Sequence, residues 1–213
     1  VRAFTLYSGR RISQYSEVIQ RISLRDRFFT NVELPLLFFT SLLFYIYFNT
    51  LFVMDIVLIV VCTVLLLILF LNIKSSFRKI YSIETQTRAV FDFICIATFF
   101  LLSSVIIRLG IYIWYSLGMI FVLSMILFWS DIKIHRKESI SAFIMSLVSA
   151  GFVTLTSGIL LSTNIFILPA VSTLAFYLIL SLWNIRFAGK LKLVEYLLPF
   201  LYSVLALILI LNI

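Results

Sequence analysis

The sequence predicts an all-α polytopic integral membrane protein: a bundle of about seven transmembrane helices with an N-terminal cytoplasmic amphipathic helix. Of its 213 residues, 63% are hydrophobic and only 12% are charged, and the mean hydropathy is +1.17. Ordinary soluble domains have about 45–50% apolar and 25% charged residues. This chain has too little polar surface to cover a water-facing exterior. The composition therefore excludes a soluble globular protein.

Residues 1–29 form the first predicted domain, a cytoplasmic arm. Apolar residues recur in it at helical spacing, with arginines between them: Ile12, Tyr15, Val18, Ile19 and Ile22. This pattern predicts an amphipathic helix that either lies on the cytoplasmic membrane surface, near anionic headgroups, or packs against the cytoplasmic ends of the bundle. The arm has no apolar block followed by a cleavage site, so we expect the first span itself to target the chain.

Residues 30–213 form the second predicted domain, the transmembrane bundle. Thr30 and Glu33 match a capping box and Pro35 suits a first helical turn, so span one should start there. About 20 apolar residues cross a bilayer. Seven such spans follow: residues 34–51, 53–72, 89–107, 110–130, 140–161, 165–184 and 195–213.

The basic residues predict how the chain is oriented. Of the 17 Lys and Arg, all but Arg108 fall in the N-terminal arm or in the second, fourth and sixth connections. An excess of Lys and Arg marks cytoplasmic connections, so we expect a cytoplasmic N-terminus and an external C-terminus in the cell (inner) membrane. This pattern requires a break near Asn49 and Thr50, where Asp55 also follows, because one long first span would spoil it.

Span five carries the clearest packing pattern. Small residues recur in it at intervals of four: Ala142, Ser146, Ala150, Thr154 and Gly158. Small faces let membrane helices approach closely, and hydroxyls add weak hydrogen bonds between them. We expect a helix-packing face and a central position for span five. The alternative is that this face lines a path or a cavity.

Ionisable residues inside a bilayer are candidates for function. Asp92 lies four residues into span three and can bind a cation or relay a proton. It also follows Arg88 by one turn near the helix start, where the helix dipole and an ion pair stabilise a carboxylate. Asp55 lies at the outer edge of span two, where water reaches it.

The connection at residues 130–138 is the best candidate for a binding site. Asp131, His135 and Arg136 can hold a phosphate or diphosphate headgroup against the membrane, or they simply form a solvated charge cluster that sets topology. A single histidine and two isolated cysteines, Cys62 and Cys95, do not make a zinc site, and both cysteines are expected to be small apolar core residues. We predict no catalytic residue, no metal site and no cofactor.

Two enzyme families share features with this chain. It resembles aromatic prenyltransferases in its cytoplasmic N-terminus and in its loops after even-numbered spans. Those enzymes hold magnesium diphosphate with Asp-rich motifs, whereas the loop beginning at Asn72 has no Asp, and neither has the one beginning at Asn184. Asp131 is similar to the first membrane Asp of prepilin peptidases, but Lys190 follows Gly189 where their second Asp stands. We therefore assign the chain to neither family.

The expected function is that of a transporter-like component or a membrane subunit of a larger complex, with an unknown substrate. The alternative is a membrane-embedded lipid-modifying enzyme, prenyltransferase-like or related, acting on a phosphate-bearing lipid at the cytoplasmic face. The sequence leaves open whether the protein is an enzyme. Expected partners are membrane lipids, with anionic headgroups at the cytoplasmic face, and other subunits or a second copy; nucleic acid is not expected.

Overall fold

A computed structural model describes residues 33–50, 52–76, 84–134, 139–159, 167–187, 189 and 193–211. These residues form seven helices and no strands. The helices are α1 (Leu34–Phe48), α2 (Phe52–Ser76), α3 (Glu84–Arg108), α4 (Ile113–Ile134), α5 (Ser139–Ile159), α6 (Ile167–Phe187) and α7 (Leu193–Leu211). The predicted all-α helical bundle is confirmed, whereas the predicted amphipathic arm of residues 1–29 and the capping residue Thr30 lie outside the described residues.

Five of the seven helices, α3 to α7, are long and apolar enough to cross a membrane. The other two contribute shorter apolar segments, Leu34–Phe48 and Phe52–Ile68. With 15 residues, α1 is about 22 Å long, less than the roughly 30 Å of a typical hydrocarbon core. Glu33 immediately precedes α1. Pro35 lies in the first turn of α1, where a backbone N–H has no partner within the helix and the missing N–H of proline therefore costs nothing.

The break between the first two helices lies where the polar residues of the sequence place it. Helix α1 ends at Phe48, and Asn49 follows in an extended conformation. The side-chain amide of Asn49 donates a 2.7 Å hydrogen bond to Asp55 Oδ1 in the first turn of α2. This bond closes the turn between the two helices.

The central helix of the bundle is α3, which packs against α1, α2, α4 and α6. In its apolar segment Ala89–Arg108, 56% of the residues are buried, against 11% in the segment Leu193–Ile210 of α7. Helix α5 packs mainly against α4 and α6. The expected central position of span five is therefore wrong, because the chain places α3 between the first two helices and the later ones.

Three phenylalanines join α3, α4 and α6 at the core. The Phe176 ring of α6 stacks on the Phe99 ring of α3, with centroids 4.6 Å apart. The centroid of the Phe128 ring of α4 lies 4.3 Å from that of Phe176. All three side chains are fully buried. Aromatic pairs at these distances contribute about 0.5–1.5 kcal/mol each beyond their buried area. The same three helices also carry polar side chains near one end of the bundle.

Candidate functional site

A group of polar residues lies beside this aromatic core, towards one end of the bundle. We call Asp92 on α3, Asp131 on α4 and Asn184 on α6 the carboxylate cluster. Asp92 precedes Phe99 by two helical turns, about 10 Å. Asp131 and Asn184 each lie three residues before the end of their helix. Three different helices thus bring their polar groups to the same end.

A hydrogen bond links two members of the cluster, Asn184 and Asp92. The side-chain amide of Asn184 donates to Asp92 Oδ2 at 2.6 Å, a short distance typical of a bond to a carboxylate. The other polar atom of the amide, Asn184 Oδ1, is buried and accepts no hydrogen bond from the described residues. The cluster therefore offers an amide oxygen beside a carboxylate.

Asp131 is the most deeply buried carboxylate among the described side chains, with 1% of its surface exposed. The thiol of Cys95, one turn after Asp92 on α3, lies close enough to both Asp92 and Asp131 for each carboxylate to act on it electrostatically. Both carboxylates therefore lie near Cys95; the Asp131 side chain is buried and the Asp92 side chain is half-buried.

The structure describes only part of the predicted headgroup site. Asp131 is described, but His135 and Arg136 lie outside the described residues, so their grouping with Asp131 stays a prediction. The same holds for the ion pair between Asp92 and Arg88, whose side chain is not described. No three His, Cys, Asp or Glu side chains within the described part of the chain lie close enough to hold a metal ion.

The small-residue face of span five lies partly within the bundle. Ala142, Ser146 and Ala150 are buried completely, while Thr154 and Gly158 are half-buried. A Cβ added at Gly158 would lie 3.8 Å from Leu117 Cδ1 of α4, an ordinary van der Waals distance.

Two hydrogen bonds join this helix to α6. Trp183 Nε1 donates to Ser149 Oγ at 2.9 Å, and the hydroxyls of Ser157 and Ser172 lie 2.8 Å apart. Most of the other buried hydroxyls on α3 to α6 bond back to a carbonyl of their own helix, as Thr98 does to Ile94.

At the opposite end of the bundle, Arg108 joins the end of α3 to the end of α1. Its guanidinium donates to Phe48 O and to Asn49 Oδ1, both at 3.4 Å, and lies 5.1 Å from the centroid of the Tyr45 ring. A cation at the C-terminal end of α1 also interacts favourably with the helix dipole. Asp55, expected to meet water here, is half-buried and bonded to Asn49. We call Asn49, Asp55 and Arg108 the opposite-end clamp.

Sequence reasoning missed Asn184 and Trp183 as site residues. Asn184 appears in the sequence only as the start of a loop without Asp, and no spacing rule relates it to Asp92, which is 92 residues away. The available signal was its position: an amide at the end of an apolar span can donate a hydrogen bond to a polar group on another helix.

The fold and the apolar surface define a class, an all-helical bundle with helices consistent with an integral membrane protein. Comparison of the chain with protein-family models, with curated proteins and with solved structures gives no match.

Proposed function

We propose that the protein is a transporter-like component or membrane subunit, and that the carboxylate cluster binds a cation or a proton. The observation that carries this proposal is the burial of Asp131 in a helix that is apolar enough to cross a membrane. Burial removes the carboxylate from water, so a change in its charge alters the stability of the helices around it. Such residues in membrane helices mark ion and proton pathways.

The neighbouring groups support a cation as the ligand. Asp92 adds a second carboxylate from α3, and Asn184 adds a buried amide oxygen without a hydrogen bond to the described residues. Carboxylate and amide oxygens are the ligands that hard cations prefer. Two carboxylates near Cys95 also favour the uptake of one proton, because like charges disfavour joint ionisation.

The position of the cluster supports a coupling to helix packing. Asp92, Asp131 and Asn184 stand on three helices that share the Phe99, Phe128 and Phe176 core. A change of charge at the cluster therefore acts on the contacts of α3 with α4 and with α6. A ligand shifts a conformational equilibrium by its difference in affinity for the two states. We place the cluster at the cytoplasmic side, with the N-terminus inside and the C-terminus outside.

The test compares Asp131→Asn and Asp92→Asn with Asp55→Asn, a matched control in the opposite-end clamp. The purified protein is reconstituted into phosphatidylcholine vesicles that contain either a pH-sensitive or a Na⁺-sensitive dye, and the fluxes of H⁺ and of Na⁺ are measured separately. Its thermal unfolding in detergent is followed against pH and against NaCl, because a ligand that binds only the folded state stabilises it. We expect the dependence of thermal unfolding on pH and on NaCl to weaken in Asp131→Asn and in Asp92→Asn. It should persist in Asp55→Asn.

Two outcomes would contradict the proposal. One is a wild-type protein whose flux and stability respond to neither pH nor Na⁺. The other is an Asp131→Asn variant that keeps the full response of the wild type. A variant that does not fold is replaced by Asp131→Glu, which keeps the charge and moves it by one methylene.

The second candidate function, lipid modification at the cytoplasmic face, is favoured by one observation. Asp131 lies three residues before the end of α4, next to the connection that contains His135 and Arg136. A phosphate-bearing headgroup can meet these residues at the membrane surface. Magnesium-dependent turnover of such a lipid by the reconstituted protein, lost in Asp131→Asn, would favour this function over transport.

A further inference from the structure

Exposed aromatic side chains crowd the turn between α3 and α4. In this turn and the start of α4, Tyr112, Trp114 and Tyr115 expose 66%, 69% and 69% of their surfaces. The turn is tight: Gly110 adopts a positive φ of 63°, and its N–H bonds to Ile107 O, which ends α3. The three rings therefore sit directly at the ends of two apolar helices, whose membrane-length segments are Ala89–Arg108 and Ile113–Ile132.

A fourth exposed aromatic ring lies at the same end on a different helix. Tyr47 is 81% exposed in the last turn of α1, and the bond from Arg108 to Phe48 O fixes that turn beside the end of α3. Helices α1 and α4 both pack on α3 but do not pack along each other in the described structure. The exposed aromatic residues thus lie on two helices that do not pack along each other.

We infer that this end of the bundle lies in the headgroup layer of a phospholipid bilayer, with Tyr47, Tyr112, Trp114 and Tyr115 as its lipid contacts. Tyr and Trp have an apolar ring and a polar group, and they are enriched where hydrocarbon meets water. A protein partner would cover one contiguous patch, whereas lipid surrounds the whole circumference. The arrangement on two separate helices therefore favours lipid.

The charges at this end indicate which property of the lipid matters. Between Leu109 and Tyr115 the chain has no Lys, Arg, Asp or Glu, and the guanidinium of Arg108 is engaged with α1. The contact therefore depends on the aromatic rings and not on attraction to anionic headgroups. We expect it to be the same in neutral and in anionic bilayers.

Trp114 provides a direct probe. In the variant Trp129→Phe/Trp183→Phe it is the only tryptophan, since the chain has three. The protein is reconstituted into phosphatidylcholine vesicles that contain either a lipid with a nitroxide on its headgroup or a lipid brominated at the end of its acyl chains. We expect the headgroup nitroxide to quench Trp114 about twofold more strongly than the bromine. Replacing a third of the lipid by phosphatidylglycerol should not change this ratio.

A matched control places the tryptophan deeper along the same helix. Val122, exposed on α4, lies eight residues after Trp114, about 12 Å along the helix. Val122→Trp in a background with all three native tryptophans changed to Phe should reverse the order of quenching. If these backgrounds fold poorly, a spin label at Tyr115→Cys gives the same depth by its relative accessibility to oxygen and to a water-soluble nickel complex.

Three outcomes would overturn the inference. Strong quenching by aqueous iodide with no lipid quenching would place the turn in water. Protection from every quencher would mean that a protein partner or a second copy covers it. A ratio that rises with phosphatidylglycerol would mean that charge governs the contact. None of these results depends on cation binding at the carboxylate cluster, so the two proposals fail separately.

Discussion

The Asn184 side-chain amide donates a 2.6 Å hydrogen bond to Asp92 Oδ2, which ties the end of α6 to the beginning of α3. The bond fixes the antiparallel register of these two helices at the level of the carboxylate cluster. It also gives the Asp92 carboxylate a hydrogen-bond donor. The packing of α6 and the charge on Asp92 are therefore coupled through one contact.

Asn184→Ala should lower the free energy of unfolding by about 1–3 kcal/mol, because the carboxylate loses a charge-assisted hydrogen bond. Denaturation in detergent by a graded amount of sodium dodecyl sulfate measures the loss. The double variant with Asp92→Asn should be less destabilised than the two single effects added together, by about 0.5–3 kcal/mol. Simple additivity would mean that the bond contributes nothing.

Ala150→Leu should lower the free energy of unfolding by about 1–3 kcal/mol, because Ala150 is fully buried and the larger side chain has no room. Val148→Leu on the same helix is the matched control: its side chain is 62% exposed, and the change should have little effect. Thermal unfolding in detergent compares the two. Equal stability of both variants would mean that the buried face of α5 is not closely packed.

Gly158→Ala should be tolerated on the same helix, because the added methyl group meets Leu117 at an ordinary contact distance. Alanine also favours a helix over glycine by about 1 kcal/mol. The same unfolding assay should give a stability equal to or above that of the wild type. A clear loss of stability would show that α4 and α5 approach more closely than the structure has them.

Arg108→Met should destabilise the protein by about 1–3 kcal/mol, because it removes the donor to Phe48 O and Asn49 while keeping the length of the side chain. Arg108→Lys should recover only part of this loss, since an ammonium lacks the planar guanidinium geometry. Arg186→Met, at the exposed end of α6, serves as the control and should change stability by less than about 0.5 kcal/mol. Equal effects at the two positions would exclude a specific role for the opposite-end clamp.

Glu33→Gln should stabilise the protein at neutral pH and have little effect in acid. Burial beside the start of α1 raises the pKa of the Glu33 carboxyl. The folded state therefore holds the proton more tightly than the unfolded state, and stability falls as the pH rises from about 4 through the raised pKa. Partial exposure keeps the effect small. A stability difference between variant and wild type that is constant with pH would contradict this account.

The predicted orientation is tested by cysteine labelling with a membrane-impermeant maleimide. Ser76→Cys and Ile134→Cys should react only when the cytoplasmic side is accessible, and Thr163→Cys should react from outside. Cys62 and Cys95 are buried, with exposed fractions of 4% and 1%, so they add little background. Labelling of Thr163→Cys from the cytoplasm would reverse the orientation.

The helix boundaries were largely predictable because apolar runs of about 20 residues are separated by short polar connections. The break after Phe48 followed from Asn49, Thr50 and Asp55, and the structure has α1 end there. The central helix was not predictable: in a chain that is apolar on nearly every helix face, periodicity does not distinguish the face that meets protein from the face that meets lipid. Phe99 and Phe93 on α3 look alike in sequence, yet one is fully buried and the other is 52% exposed.

The site was predictable to a smaller extent. Asp92 and Asp131 stood out because carboxylates are costly within apolar spans. Their approach to a common region, and the part played by Asn184, depend on how α3, α4 and α6 pack. Local spacing carries no information about that packing.

The neighbours of α1 have a consequence for the order in which the chain matures. Helix α1 packs far more extensively on α3 than on α2, which follows it directly. During synthesis, about 60 residues after the end of α1 must therefore be made before α3, its main packing partner, is complete. Arg108, the last residue of α3, reaches Phe48 only when that helix is complete. A chain truncated before Arg108 would lack the hydrogen bond to Phe48 O that holds α1 against α3. We expect quality-control proteases to degrade such a chain.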